Sequence, residues 1–278
     1  MIIKKIIEKI KIDDLISAAN DMTYKIFFSI FPFAIFLMSI VGFLKLDANL
    51  LTEQISSALP YSLGEPVNFF IREISNVRSA TIFSFSLIAA VYSASLGFKT
   101  TMRSINKSYG HKDTRKFFVK IPISIALVLI FTVIIIVSFG LLIFGNNIFS
   151  LIKLSENIMW LFNILRYIIS IIIMFISVIL INKLALYKNK KISVKSLFPG
   201  TAFTVFLWVI ISWGFNIYID NFANYSAIYG SIAAVIILML WLNIMCIVLL
   251  LGSEINAALK NAVIEGEGNA QGRYENRP

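Results

Sequence analysis

Arg166 stands alone in an apolar stretch that carries no other charge between Glu156 and Lys183. Asn163, Ser170 and Ser177 fall on its side of a helix at near-heptad spacing. A guanidinium placed there must face protein, water or an anion, because hydrocarbon alone does not solvate it. Its planar fork donates two parallel hydrogen bonds, which suits phosphate and carboxylate. The functional reading is an anion contact. The alternative is an arginine that snorkels to the interface or pairs with a protein carboxylate. Glu254 is the second candidate. It closes another uncharged run, with Gly252 and Asn256 beside it, and Asn243 lies about three helical turns earlier on the same stripe. A carboxylate facing a bundle interior can carry a proton or a cation. The alternative is a structural pair with a Lys or Arg of segment 99–120. Thr204, Ser212 and Asn216 trace a polar spiral that ends at Asp220.

Arg166, Asn163, Ser170, Asn216, Asn243 and Glu254 are therefore the candidate substrate-binding set. Asp220, Asn221, Asn224, Tyr225 and Tyr229 form a polar hairpin that reads as an outer gate or simply as a turn, since Asn and Asp are turn formers. No catalytic residue, metal site or cofactor is expected. The chain has one Cys, Cys246, and one His, His111, and neither a phosphate-binding glycine loop nor an H-E-x-x-H pair. The acidic or histidine cluster that would hold metal ions at a phosphodiester is also missing from the sequence. The reading is not an enzyme.

The elements that must position these residues are membrane helices. Charge is only 14% of a chain that is 58% hydrophobic, and it is confined to short segments. Between Lys195 and Asp220 lie 24 uncharged residues, and between Asp220 and Glu254 another 33. About 20 apolar residues cross a bilayer as a helix. The pattern predicts an all-α polytopic protein with six spans, at about 26–44, 79–98, 122–144, 157–182, 196–219 and 228–253, in one domain over 1–264. Pro32 falls inside the first span, and Pro199 fits the first turn of the fifth. Gly230 and Ala234 form a small-xxx-small pair that allows close helix approach. Residues 2–12 form a short amphipathic helix that lies on the membrane or caps the bundle. A second, with Val67, Phe70, Ile71, Ile74 and Val77 on one face, lies in the first outer loop. Residues 265–278 read as a disordered tail.

The net charge of +10 comes mostly from segments 1–25, 99–120, 183–195 and 260–278. Basic loops stay in the cytoplasm, so both termini are expected inside. Topology thus explains the charge, and nucleic acid is not an expected partner.

The chain resembles the YihY/BrkB family of bacterial inner-membrane proteins. The resemblance rests on Pro199-Gly200, Trp208, Tyr218, Asn221-Phe222, Asn224-Tyr225-Ser226, Tyr229-Gly230-Ser231, Trp241 and Gly252-x-Glu254-x-Asn256. Ser29-Ile30-Phe31-Pro32 and Asn106-Lys107-Ser108-Tyr109-Gly110 with Thr114-Arg115 agree, so it spans roughly residues 15–260. One departure is visible: Asp21 and Lys25 stand where the family usually has small or aromatic apolar residues. The resemblance implies a location in the bacterial cytoplasmic membrane and a link to lipid export and envelope integrity. It also brings an old ribonuclease label that no residue pattern here supports.

Two readings follow. The first is a transporter or flippase of a lipid-like or anionic amphiphile, with no ATP site; its partners are membrane lipids and an anionic lipid substrate. The alternative is a sodium or proton antiporter, or a non-transporting envelope-integrity scaffold.

Overall fold

The computed structural model describes residues 14–43, 80–111, 156–186, 192–221 and 231–275, with 115, 119, 122–123 and 125–126 between them. The helices are α1 (Leu15–Phe43), α2 (Ala80–Ser108), α3 (Glu156–Ala185), α4 (Phe198–Asn221) and α5 (Ser231–Glu275). A short 3₁₀ turn, Val194–Leu197, leads into α4. Among the described residues, five helices are long and apolar enough to cross a membrane. The expected third span, 122–144, lies largely outside the described residues, although Pro122, Ile123, Ile125 and Ala126 are helical. The amphipathic stretches at 2–12 and 66–77 also lie outside them.

Two boundaries differ from the sequence reading. The first helix begins at Leu15 rather than near residue 26. It follows Asp14, whose φ of 50° is a left-handed conformation that Asp tolerates better than most residues. The charges that suggested a later start neutralise each other. The Lys25 ammonium donates to Asp21 Oδ2 at 2.6 Å and to Thr100 Oγ1 of α2 at 2.7 Å. Thr100 in turn donates to Asp21 Oδ2 at 3.1 Å, so the pair pins α1 to α2. At the other terminus α5 continues to Glu275, into the segment expected to be disordered. Extending an existing helix is far easier than nucleating one, and no proline interrupts it before Pro278.

α1 and α2 pack along their full length. Ala90 is fully buried, Gly97 lies against Ile26, and the Phe36 and Phe83 rings meet at 5.6 Å. The other helices bury their residues mainly at one end. There Leu15, Ala19 and Met22 of α1 meet Met102 and Ile105 of α2, Val178 and Ile181 of α3, Leu197, and Leu249, Leu250 and Ala257 of α5. This packed end gathers the starts of α1 and α4 and the ends of α2 and α3. Beyond it, apolar side chains face outward, among them Ile168 and Ile172 of α3, Phe206 and Trp213 of α4, and Ile232 and Ile236 of α5. Apolar surface on this scale fits contact with hydrocarbon.

Candidate functional site

Polar side chains from four helices converge inside the packed end. α2 delivers Asn106 and Ser108, α3 delivers Asn182, α4 delivers Thr201 and Thr204, and α5 delivers Ser253, Glu254 and Asn256; all eight are buried.

The end of α2 is shaped by Gly110, whose φ of +72° requires the left-handed freedom of glycine. The His111 amide donates to the Asn106 carbonyl and the Gly110 amide to the Lys107 carbonyl, each at 2.8 Å. This is the paired bonding of a Schellman cap. Arg115, a few residues on, caps the neighbouring helix. Its guanidinium donates to the Leu184 carbonyl at 2.7 Å and the Ala185 carbonyl at 2.9 Å. Asn106 Nδ2 adds a bond to the Ala185 carbonyl at 2.8 Å. The last carbonyls of a helix lack intrahelical donors and carry the negative end of its dipole, so a cation suits them.

Glu254 is 2% exposed. Ser108 Oγ donates to its Oε1 at 2.6 Å. One residue before it, Ser253 donates to Asn182 Oδ1 at 2.8 Å. Two residues after it, Asn256 accepts from the Gly200 amide at 2.7 Å and donates to the Leu197 carbonyl at 3.0 Å. It thereby satisfies one of the orphan amides in the first turn of α4. These bonds need a very close crossing of α4 and α5. A Cβ built on Gly200 would overlap the Gly252 carbonyl oxygen, and one on Gly252 would overlap Thr204 Oγ1. Further along the same seam, Trp208 Nε1 donates to the Met245 carbonyl at 3.0 Å.

Tyr109 lies beside this cluster. Its hydroxyl is buried with no hydrogen-bond partner among the described residues. Burial first, and then the Glu254 carboxylate, push the phenol above its ordinary pKa. The Lys260 ammonium lies 5.8 Å from the centre of its ring.

The candidates chosen from sequence are distributed rather than gathered. Glu254 is in the cluster. Asn243, on the same helix, instead donates to Asn20 Oδ1 at 2.8 Å and Thr23 Oγ1 at 3.2 Å, both on α1. Ser170 on α3 and Asn216 on α4 are exposed, away from the packed end. Arg166 and Asn163 are on α3, and Asp220 and Asn221 end α4, but their side chains lie outside the description. Asn224, Tyr225 and Tyr229 lie outside the described residues, as does Gly230 of the expected small-residue seam. Ser177, read as a companion of Arg166, bonds its own helix at the Ile173 carbonyl.

Asn106, Ser108, Arg115, Asn182, Ser253 and Asn256 were not singled out as site residues. The signal for most of them was present in the motif words around 106–115 and 252–256. Among the described residues, no three His, Cys, Asp or Glu side chains gather where they could hold a metal ion.

A family model described as virulence factor BrkB matches residues 6–276. A ribonuclease-like protein, YfkH, of Bacillus subtilis (strain 168) is 32% identical over 247 residues, which is 87% of this chain and 89% of that protein. A membrane protein named UPF0761 from Pseudoalteromonas translucida (strain TAC 125) is 38% identical over 80 residues, 29% of this chain and 27% of its own length. Another UPF0761 membrane protein, from Xanthomonas oryzae pv. oryzae (strain PXO99A), is 38% identical over 61 residues, 22% of this chain and 14% of its own length. No solved structure matches the chain. The motif words that converge at the packed end and the match along nearly the whole sequence agree, and the chain belongs to the BrkB family of integral membrane proteins.

Proposed function

We propose that this protein is a secondary transporter of a lipid-like, anionic amphiphile and that Glu254 couples movement to a proton. The observation that carries the reading is a carboxyl group on a membrane-spanning helix, 2% exposed and bonded to a serine hydroxyl from another helix. Ionisable groups at such depth are expensive, and proton relays are a common reason to keep them. The amphiphile rests on the family resemblance and on Arg166 in α3, an anion contact by type. A flux assay tests this. Liposomes containing the purified protein and a fluorescent phosphatidylglycerol are probed with a membrane-impermeant quencher, with and without a pH gradient. The protein should speed exchange between leaflets, and the gradient should change the rate. Glu254→Gln keeps an acceptor for Ser108 but removes the titrating charge, so it should fold and lose the gradient dependence. Exchange no faster than in empty liposomes would sink the reading.

A static envelope-integrity scaffold is the second reading, and one observation favours it. Asn106, Arg115, Asn182 and Asn256 all bond backbone carbonyls; Asn106 and Arg115 reach the end of α3, and Asn256 reaches Leu197 in the turn before α4. Polar groups used in that way hold helices together.

The proposed setting is the bacterial cytoplasmic membrane, with six spans and both termini inside. Lys99, Arg103, Lys107, Lys183 and Lys195 flank the packed end, which supports placing that end in the cytoplasm. Cysteines introduced at Lys190 and Asn224 check it. An impermeant thiol reagent outside the cell should modify the second and spare the first; the opposite pattern reverses the orientation.

A further inference from the structure

One outward face of α2 changes character along its length. Phe85, Ile88, Tyr92 and Leu96 are 74%, 68%, 65% and 36% exposed. Each lies three or four residues from the next, so they form one continuous stripe. The same stripe continues through Lys99, Arg103 and Lys107, which are also exposed. The face is thus apolar for about three turns and then cationic for about two, with Tyr92 near the middle.

We propose that this face of α2 is a resident binding site for an anionic phospholipid of the leaflet at the packed end. The acyl chains lie along Phe85, Ile88, Tyr92 and Leu96, and the headgroup phosphate lies against Lys99 and Arg103. The charge pattern selects this occupant. Residues four apart on a helix are neighbours, so both cations reach one phosphate. Lysine and arginine stems lie along apolar surface while their heads reach the interface, which brings the charges to headgroup depth. Asp21 of α1 holds the Lys25 ammonium at 2.6 Å and also attracts Arg103, so it offsets the stripe in part; with Lys25 paired to it, the surroundings of Lys99, Arg103 and Lys107 stay net positive. A zwitterionic lipid would satisfy the apolar part equally well and gain much less from the basic part. A second membrane protein seated here would have to meet these cations with acidic residues at lipid-headgroup depth. The site is separate from the cargo reading above: it is on the outside of the bundle and does not depend on transport.

The test uses the full chain purified in neutral detergent, mixed with phosphatidylglycerol or phosphatidylcholine and examined by native mass spectrometry. Wild type should retain phosphatidylglycerol well above phosphatidylcholine. Lys99→Ala with Arg103→Ala should lower phosphatidylglycerol retention about twenty-five-fold, at roughly fivefold for each basic residue, and leave phosphatidylcholine unchanged. Lys195→Ala, which removes an exposed cation of the same end away from the stripe, should change retention less than twofold. Lys99→Arg should preserve it, which keeps the test informative if the double variant folds poorly. A photoreactive residue at Leu96 should crosslink to lipid acyl chains, which soluble glycerol phosphate cannot mimic. Retention unaffected by the double variant, an equal loss with Lys195→Ala, or crosslinking at Leu96 to protein rather than lipid would each overturn the proposal.

Discussion

Gly252→Ala is expected to lower stability by about 3 kcal/mol, the upper end of the usual range for overpacking a tight interior. The added methyl meets Thr204 Oγ1 and lies 2.6 Å from the Gly200 carbonyl oxygen. Neither obstacle can swing away easily. The carbonyl is backbone, and Thr204 Oγ1 donates to that same carbonyl at 2.9 Å. The helices must therefore separate, and separation stretches the Asn256 bonds to Gly200 and Leu197. Gly200→Ala should be comparably damaging, because its methyl meets the Gly252 carbonyl and the Asn256 side chain. Gly214 supplies the contrast. It is also on α4, but a methyl added there would have nothing within 4 Å. Gly214→Ala should be neutral or stabilising by up to about 1 kcal/mol, since alanine favours a helix more than glycine does. Melting temperatures of the purified variants in one detergent check the series. A Gly252→Ala protein that melts with the wild type would mean that α4 and α5 do not cross here.

Arg115→Ala should lower stability by about 3 kcal/mol, at roughly 1.5–3 kcal/mol for each charge-assisted bond to a backbone carbonyl. Arg115 is 8% exposed, so water does not replace it easily. The variant leaves the Leu184 carbonyl without this donor, while Ala185 keeps its bond from Asn106. Arg115→Lys should recover less than half the loss. One ammonium cannot span two carbonyls as the two guanidinium nitrogens do. The same melting measurement decides it, together with protease sensitivity of the segment after α3. A lysine variant as stable as wild type would show that charge alone, and not the fork, is what α3 requires.

The helices were legible because a bilayer demands long uncharged runs, and Lys195, Asp220 and Glu254 mark those runs plainly. The start of α1 was not. A composition rule treats Asp21 and Lys25 as a boundary, whereas in the fold they form an ion pair against Thr100. Glu254 was legible as a buried acid because an isolated charge at the end of such a run must face something. Its partner was not, since nothing in the spacing says that Ser108, 146 residues away, is the hydroxyl it meets. The small-xxx-small pair Gly230 and Ala234 falls outside the described side chains. The seam between Gly200 and Gly252 has one glycine on each helix, and a pattern confined to one helix cannot reveal it.

The distance along the chain between these partners also sets a timetable. Ribosomes add about 5–20 residues per second. Ser108 is therefore made roughly 7–30 seconds before Glu254, from which it is separated by 146 residues. Asn20 waits longer still for Asn243, 223 residues on. Throughout that interval the polar groups of α1 to α4 that end on α5 have to be held by water, the insertion machinery or one another. The last helix arrives as a keystone, and the nascent chain before it is an arch without one.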